Sequence, residues 1–321
     1  MERKYKIAMI GLGSIGKRHL INIDKVLKNR GINYSIDLIR RKSSNELDKP
    51  LEKLISNVFT EDEDIPNDYD VMFITNPTHL HYDTIKKYSS KSKNMFIEKP
   101  VFDKVSVNLS DLNLTLDGIY YVACPLRYTE VIQYVKNKID LENIYSVRAI
   151  CSSYLPEWRP SVDYRATYSA HLEQGGGVSI DLIHEWDYMM YLFGKPQNIK
   201  NYRGKFSKLE IDSDDLSIYI AEYEKMLAEV HLDYFGRKPI RELQLFTPED
   251  TIVADIVNSE VRFLKENKTI QFNEDRNSYQ TKEIENFFDI IEGRNSNENC
   301  ISTALATLKI AKSSGVMSSE K

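Results

Sequence analysis

An apolar run, Lys6 to Ile10, breaks into Gly11-Leu12-Gly13-Ser14-Ile15-Gly16 and continues as the helix-compatible stretch Lys17-Arg18-His19-Leu20-Ile21-Asn22-Ile23. Few short patterns constrain a fold more tightly. The first glycine permits a sharp strand-to-helix bend, the second lets bare backbone approach a pyrophosphate, and the third lets the helix pack against the strand. Backbone N–H groups at the helix start then face an anion. Glycine-rich turns also occur in loops without a ligand; the preceding strand, the following helix and the early position favour a dinucleotide-binding turn.

The chain has 321 residues, which suits two domains, each with its own core. Its net charge of -5 gives no broad positive field, so a nucleic-acid partner is not expected. No apolar run is long enough to span a bilayer, no signal-peptide pattern opens the chain, and no membrane partner is expected; the expected location is cytoplasmic. Cys124, Cys151 and Cys300 lack metal-ligand spacing and read as free thiols, with neither a disulfide framework nor a metal site expected.

Through about residue 123, apolar strands (Lys6–Ile10, Ser35–Ile39, Val71–Ile74, Asn94–Ile97, Tyr120–Ala123) alternate with amphipathic stretches, the rhythm of a parallel α/β sheet. Beyond Cys124 come helices over Glu130–Lys138 and Ser179–Phe193. Strands follow over Ser217–Glu222, Leu227–Asp233, Glu242–Phe246 and Thr251–Ile256. Consecutive strands without helices between them point to an antiparallel sheet. The expected division is therefore a dinucleotide-binding domain over 1–123 and a second domain over 124–321.

In a parallel α/β sheet the ligand lies beyond the carboxyl ends of the strands, so the residues just after each strand carry the chemistry. Strand two ends in Ile39-Arg40-Arg41-Lys42-Ser43. Arginine here accommodates a ribose 2′-phosphate and an acid a 2′-hydroxyl, so Arg40 and Arg41 favour NADP over NAD. The alternatives are solvated loop charges, and Asp37 as a weaker ribose ligand. The third strong strand ends in Thr75-Asn76-Pro77-Thr78-His79-Leu80-His81, where small polar residues and a proline-fixed turn suit contact with a ribose or nicotinamide. Taken singly, His79 and His81 read equally as capping or core histidines. The next strand ends in Glu98-Lys99-Pro100, and a lysine placed there can hydrogen-bond a substrate hydroxyl, although spacing alone also suits an exposed ion pair. Asp181, His184 and Asp187 recur at intervals of three on the largely apolar helix after Gly175-Gly176-Gly177, which predicts an imidazole flanked by carboxylates; a structural Asp-His pair is the alternative. Before the triple glycine, Tyr154, Trp158, Arg159, Tyr164, Arg165 and Tyr168 offer aromatic faces for a sugar or base and cations for a phosphate or carboxylate. A packed loop in which Asp163 pairs with an arginine is the competing reading.

Together these motifs resemble the Gfo/Idh/MocA oxidoreductase family. The resemblance rests on the glycine turn, Asn76-Pro77-Thr78-His79-x-His81, Glu98-Lys99-Pro100, Gly175-Gly176-Gly177-x-x-x-Asp181 and a late helix, Glu283-Ile284-Glu285-Asn286-Phe287-Phe288, followed by Gly293. It implies an N-terminal Rossmann domain and a C-terminal α/β domain with an open, mostly antiparallel sheet used for oligomerisation as a dimer or tetramer. It implies Lys99 as catalytic lysine, with Asp181 and His184 as acid/base neighbours. The cofactor set is Gly11, Gly13, Ser14, Ile15, Gly16, Arg40, Arg41, Ser43, Thr75, Asn76, Pro77, His79, His81, Glu98, Lys99 and Arg127. The substrate set is Lys99, Arg127, Tyr154, Trp158, Arg159, Tyr164, Arg165, Asp181 and His184. Here the histidine follows the aspartate by three residues where many relatives have four, and Pro125 stands where asparagine is frequent. The reaction implied is hydride transfer between nicotinamide and a hydroxyl-bearing carbon of a sugar, cyclitol or nucleotide-linked sugar. An NAD-dependent glycosidase and a non-catalytic dinucleotide-binding regulator are the alternatives.

Overall fold

A computed structural model describes residues 4–42, 47–61 and 63–313. Ser43, expected near the cofactor, lies outside the described residues. The chain divides into two compact units. One comprises Met1–Ala123 with Gln280–Leu305, and the other Cys124–Tyr279 with Ala306–Lys321. The late segment thus belongs by its contacts to the first unit, although it follows the second in sequence.

In the first unit, β1 (Lys4–Ile10) leads into α1 (Ser14–Asn29), then β2 (Asn33–Arg40), the short α2 (Lys49–Glu52), β3 (Asn57–Thr60) and β4 (Val71–Ile74). After these come α3 (His81–Tyr88), β5 (Asn94–Ile97) and β6 (Ile119–Val122). The six strands run parallel in the order β3-β2-β1-β4-β5-β6, so the chain reverses its direction of growth between β1 and β4. A crevice for a nucleotide belongs at such a switch point. The strands expected from sequence all form. The edge strand β3 escaped that reading because Asn57-Val58-Phe59-Thr60 is half-exposed and short. Sheet residues Phe73, Phe96 and Tyr121 pack with Phe287, ring centroids 5.3 to 5.7 Å apart, so the late segment supplies part of this core. Aromatic pairs at this spacing add to simple area burial.

The second unit begins with α4 (Glu130–Lys138) and β7 (Ser146–Tyr154). Next come α5 (Val178–Asp181), α6 (His184–Phe193), β8 (Asn198–Gly204), β9 (Leu216–Glu222), β10 (Leu227–Asp233), β11 (Phe235–Phe246), β12 (Thr251–Asp255), β13 (Glu260–Phe263) and β14 (Lys268–Gln271). Two helices, α7 (Arg276–Ile291) and α8 (Ile301–Ala311), close the described chain. The sheet order is β14-β13-β12-β11-β7-β10-β9-β8, antiparallel except where β7 and β10 run parallel. This is the open, mostly antiparallel sheet expected, and the class is α/β with a Rossmann first unit.

One expectation fails locally. The single helix expected over Ser179–Phe193 is two helices, because Leu182 leaves helical geometry at φ -98° and ψ 30°. The apolar periodicity continues across the break, and neither glycine nor proline marks it. Asp181 and His184 therefore do not sit one turn apart on a continuous helix. The flanking pattern expected for Asp181, His184 and Asp187 does not form as a helical stripe.

Candidate active site

The switch point is built mostly from backbone. Gly11 has φ +86°, and a Cβ there would come within 2.9 Å of the Asn76 Cα, so the β1 and β4 loops meet at a distance that only glycine allows. Thr75 fastens the same junction, its N–H donating to the Ile10 carbonyl at 3.0 Å and its hydroxyl to the Gly11 carbonyl at 2.7 Å. Gly13 precedes α1, and space beside it is open where a side chain would project. The first turn of α1 holds no acidic residue. Its N–H groups, with Ser14 exposed and Ile15 half-buried, suit a pyrophosphate. The residues present therefore fit a dinucleotide.

At the end of β2, Arg40 is half-buried and Arg41 exposed, with the Arg41 Nε 4.0 Å from a Glu61 carboxylate oxygen. Asp37 is enclosed in mid-strand. Its carboxylate accepts from the Tyr69 hydroxyl at 3.0 Å and the Asn57 amide at 2.8 Å, so it is spent on holding β2, β3 and Tyr69 together. Past β4, Asn76 is half-buried while Pro77 and His79 are exposed. His81 is wholly enclosed and has no surface for a cofactor, which separates it from the contact residues expected around it.

Lys99 is half-buried just past β5. The preceding Glu98 is buried, with one carboxylate oxygen 2.5 Å from the His19 Nε2 and the other accepting the Lys99 backbone N–H at 3.1 Å. Burial pushes the Glu98 carboxyl up, but the bond with His19 and the charges of His19, Lys99 and His81 outweigh it and hold the group below the ordinary glutamate value. Glu98 thus anchors the lysine-bearing turn from beneath rather than presenting itself to a ligand.

In the second unit the candidate residues are held by side chains. Gly177, at φ +123°, packs against the Asp214 carboxylate, where any Cβ would collide, and starts α5. Asp181 ends that helix, buried, and its Oδ2 accepts from the Tyr234 hydroxyl at 2.6 Å. Tyr168 is 45% exposed, yet its hydroxyl end turns inward to the same carboxylate. Burial first, and the Asp181 charge second, hold both phenols well above the ordinary tyrosine value, so both remain donors. The Trp158 ring meets Tyr234 edge-on at 5.3 Å while its Nε1 donates to the Ser153 hydroxyl at 2.9 Å. Tyr154 is covered by the Arg237 guanidinium, 3.8 Å from the ring centre.

His184 is half-buried and opens α6. Two ion pairs fix that helix. Glu185 Oε1 lies 2.7 Å from the Arg241 Nε on β11, and Asp187 is gripped by Arg127 through Nε at 2.9 Å and Nη2 at 2.8 Å. Both oxygens of Asp187 are engaged by that fork, and Arg127 is itself buried against the Tyr191 ring at 5.1 Å. Arg127, expected to contact cofactor and substrate, holds α6 in place. Arg165 is neutralised by Asp163 at 2.9 Å and Glu210 at 2.6 Å, the packed-loop alternative. Arg159 is exposed beside Leu155, Trp158, Val162 and Tyr164, around a small pocket that Thr167 and Ser169 complete. Tyr164 is half-buried, its hydroxyl accepting the Glu210 N–H at 3.2 Å.

Sequence reasoning missed Tyr234 and Arg241. Neither lies in a recognised motif, and the partners lie 53 and 56 positions away on α5 and α6. Among the described residues no group of three His, Cys, Asp or Glu side chains is placed to hold a metal ion, and no helix is long and apolar enough to cross a membrane.

Residues 5–111 match the profile of a family described as an oxidoreductase family with an NAD-binding Rossmann fold. The chain is 26% identical over 205 residues to the uncharacterised oxidoreductase YrbE of Bacillus subtilis strain 168, an alignment covering 60% of this chain and 55% of that protein. The matched region thus spans about half the length of this curated relative. A levoglucosan dehydrogenase in complex with NADH superposes with a TM-score of 0.79 at 17% identity, covering 96% of this chain and 95% of that one. An oxidoreductase from Thermotoga maritima gives 0.77 at 19% identity, with coverage of 98% and 97%. The WlbA dehydrogenase of Bordetella pertussis, in complex with NADH and UDP-GlcNAcA, gives 0.73 at 15% identity, with coverage of 96% and 94%. At these identities the superpositions establish the fold, over nearly the whole chain. With the glycine turn, the Lys99 turn and the triple glycine in place, residues 5–111 match the Gfo/Idh/MocA family of oxidoreductases, with their NAD-binding Rossmann fold.

Proposed function

We propose that this protein is an NAD(P)-dependent dehydrogenase or reductase acting on a hydroxyl-bearing carbon of a sugar, cyclitol or nucleotide-linked sugar. The observation that carries the reading is Lys99. It lies two residues past β5, on the carboxyl-end side of a parallel sheet whose switch point fits a dinucleotide, and its turn is anchored by a buried carboxylate. Bound nicotinamide supplies or accepts the hydride. Lys99 hydrogen-bonds the substrate oxygen, and its ammonium favours the alkoxide that develops as the proton leaves. His184 takes that proton in oxidation and returns it in reduction, with Asp181 as its acid/base neighbour. Trp158 offers an aromatic face to the sugar, and exposed Arg159 suits a charged substituent. Structural relatives carrying NADH with levoglucosan or with UDP-GlcNAcA support the substrate class.

For the cofactor, Arg40 and Arg41 at the end of β2 support NADP, since no acidic residue follows the strand there. Arg40→Ala is expected to weaken NADP about tenfold or more and NAD much less, read by fluorescence titration; equal losses would remove the 2′-phosphate role. The second sheet exposes Tyr202, Ile220 and Leu227, which supports a homo-oligomer.

The deciding experiment titrates the purified protein with NADP(H) and NAD(H), then screens sugars, cyclitols, sugar acids and nucleotide sugars for a change in nicotinamide absorbance. Turnover establishes the dehydrogenase. Tight binding with no turnover on any of them overturns it in favour of a transiently oxidising glycosidase or a regulator.

A further inference from the structure

His81 is entirely buried at the first position of α3, and its ring lies between two loops. Its Nε2 is 3.0 Å from the Asn76 carbonyl, in the loop after β4. Its Nδ1 is 3.1 Å from the Pro100 carbonyl and 3.2 Å from the Val101 carbonyl, in the loop after β5. One ring therefore spans the exits of two adjacent strands, and the second exit, Glu98-Lys99-Pro100-Val101, carries Lys99. On the other side of that lysine, Glu98 holds its backbone N–H at 3.1 Å and is itself held by His19. Lys99 is thus flanked in the chain by two buried anchors. The Glu98 anchor fixes where its backbone starts, and the His81 anchor fixes the direction in which the chain leaves. Without exposed surface, His81 reaches neither cofactor nor substrate, and a histidine that merely filled space would not meet three carbonyls from two loops.

We infer that His81 is a positioning residue for Lys99: its ring braces the loop after β5 against the loop after β4 and so fixes where the lysine ammonium meets the substrate oxygen. The catalytic half of this inference rests on the reading of Lys99 given above. Positional errors of about 1 Å in such a group cost on the order of a hundredfold in rate, so a loosened brace is visible in kcat.

The two ring nitrogens can be tested separately, because an asparagine amide nitrogen falls near the position of Nδ1 and a glutamine amide nitrogen near that of Nε2. His81→Asn keeps the link to Pro100 and Val101, whereas His81→Gln keeps only the link to Asn76. Both variants are compared with the intact protein for melting temperature, cofactor Kd, kcat and KM. Both are also labelled with limiting acetic anhydride in the absence of substrate, reading Lys99 against the exposed Lys28 by mass spectrometry. Bracing predicts that kcat falls about tenfold more in His81→Gln than in His81→Asn. Cofactor Kd stays within about twofold in both, and the relative labelling of Lys99 shifts only in His81→Gln. Equal changes in the two variants, no change in either, or a loss of cofactor affinity that tracks kcat would overturn it. Should His81→Gln fail to fold, His81→Leu, which fills the space but makes neither link, takes its place against His81→Asn: a kcat about tenfold lower and shifted Lys99 labelling only in His81→Leu support the brace, and equal changes overturn it. If the intact protein turns over no sugar, the catalytic reading of Lys99 has failed, while the labelling of the two variants still supports or overturns the brace.

Discussion

The turn that carries Lys99 and the segment that carries Asp181 are held by opposite means. In the first unit, backbone atoms do most of the work: Gly11 against Asn76, the Thr75 hydroxyl on the Gly11 carbonyl, the Lys99 N–H on Glu98, and carbonyls around His81. In the second unit, side chains from distant strands do it: Tyr234 and Tyr168 on Asp181, Arg127 on Asp187, Arg241 on Glu185. Backbone geometry depends on few residue types, so it leaves a motif in the sequence. Side-chain geometry depends on which residues fold together, and any of several polar pairs would serve equally well.

That contrast can be broken or sharpened by substitution. The largest expected effect is at Lys99, where Lys99→Ala should lower kcat by about 10²- to 10⁴-fold while cofactor affinity and melting temperature change little, since the turn is held by its backbone. A variant near full activity would take the lysine out of the chemistry. Next is Asp187→Ala, which strands the buried Arg127 guanidinium and should cost about 3–5 kcal/mol of stability in a denaturant titration. A loss below about 1 kcal/mol would mean that water reaches the pair and that the second region is not held by its side chains. Tyr234→Phe leaves a buried oxygen of Asp181 without its 2.6 Å donor and should cost about 1.5–3 kcal/mol, with a smaller loss for Tyr168→Phe, a residue 45% exposed where Tyr234 is fully enclosed. Equal losses from the two would show that both phenols share the load equally. Smallest is Arg165→Ala. This exposed arginine already has two carboxylate partners, so melting temperature and activity on neutral substrates should not move measurably, and a large loss on a charged substrate would restore it to the binding site.

The pair of arginines expected to bind ligand shows why chemistry alone does not assign a role. Arg127 and Arg165 each face an aspartate, at 2.8 and 2.9 Å. The first is enclosed and grips a helix; the second lies in water on a loop. Nothing in Pro125-Leu126-Arg127-Tyr128 or Asp163-Tyr164-Arg165 distinguishes them, because burial is decided by the elements that fold over each. Likewise His81 stands among strand-end residues that suit a ligand, and only packing reveals that the ring points inward.

By itself the sequence determined the parallel sheet, the glycine turn at its first strand, the lysine after β5 and the mostly antiparallel second sheet. Each follows from hydrophobic period or from a backbone conformation that few residues tolerate. Tertiary structure alone decided the break at Leu182, which no glycine or proline announces, and the return of residues 280–305 to the first unit, where Phe287 enters the aromatic core. It also decided which polar groups face a ligand and which face one another. Partners such as Asp181 and Tyr234 lie 53 residues apart and meet only once β10 has been laid into its sheet, so their pairing is a property of the packed chain rather than of any local pattern in it.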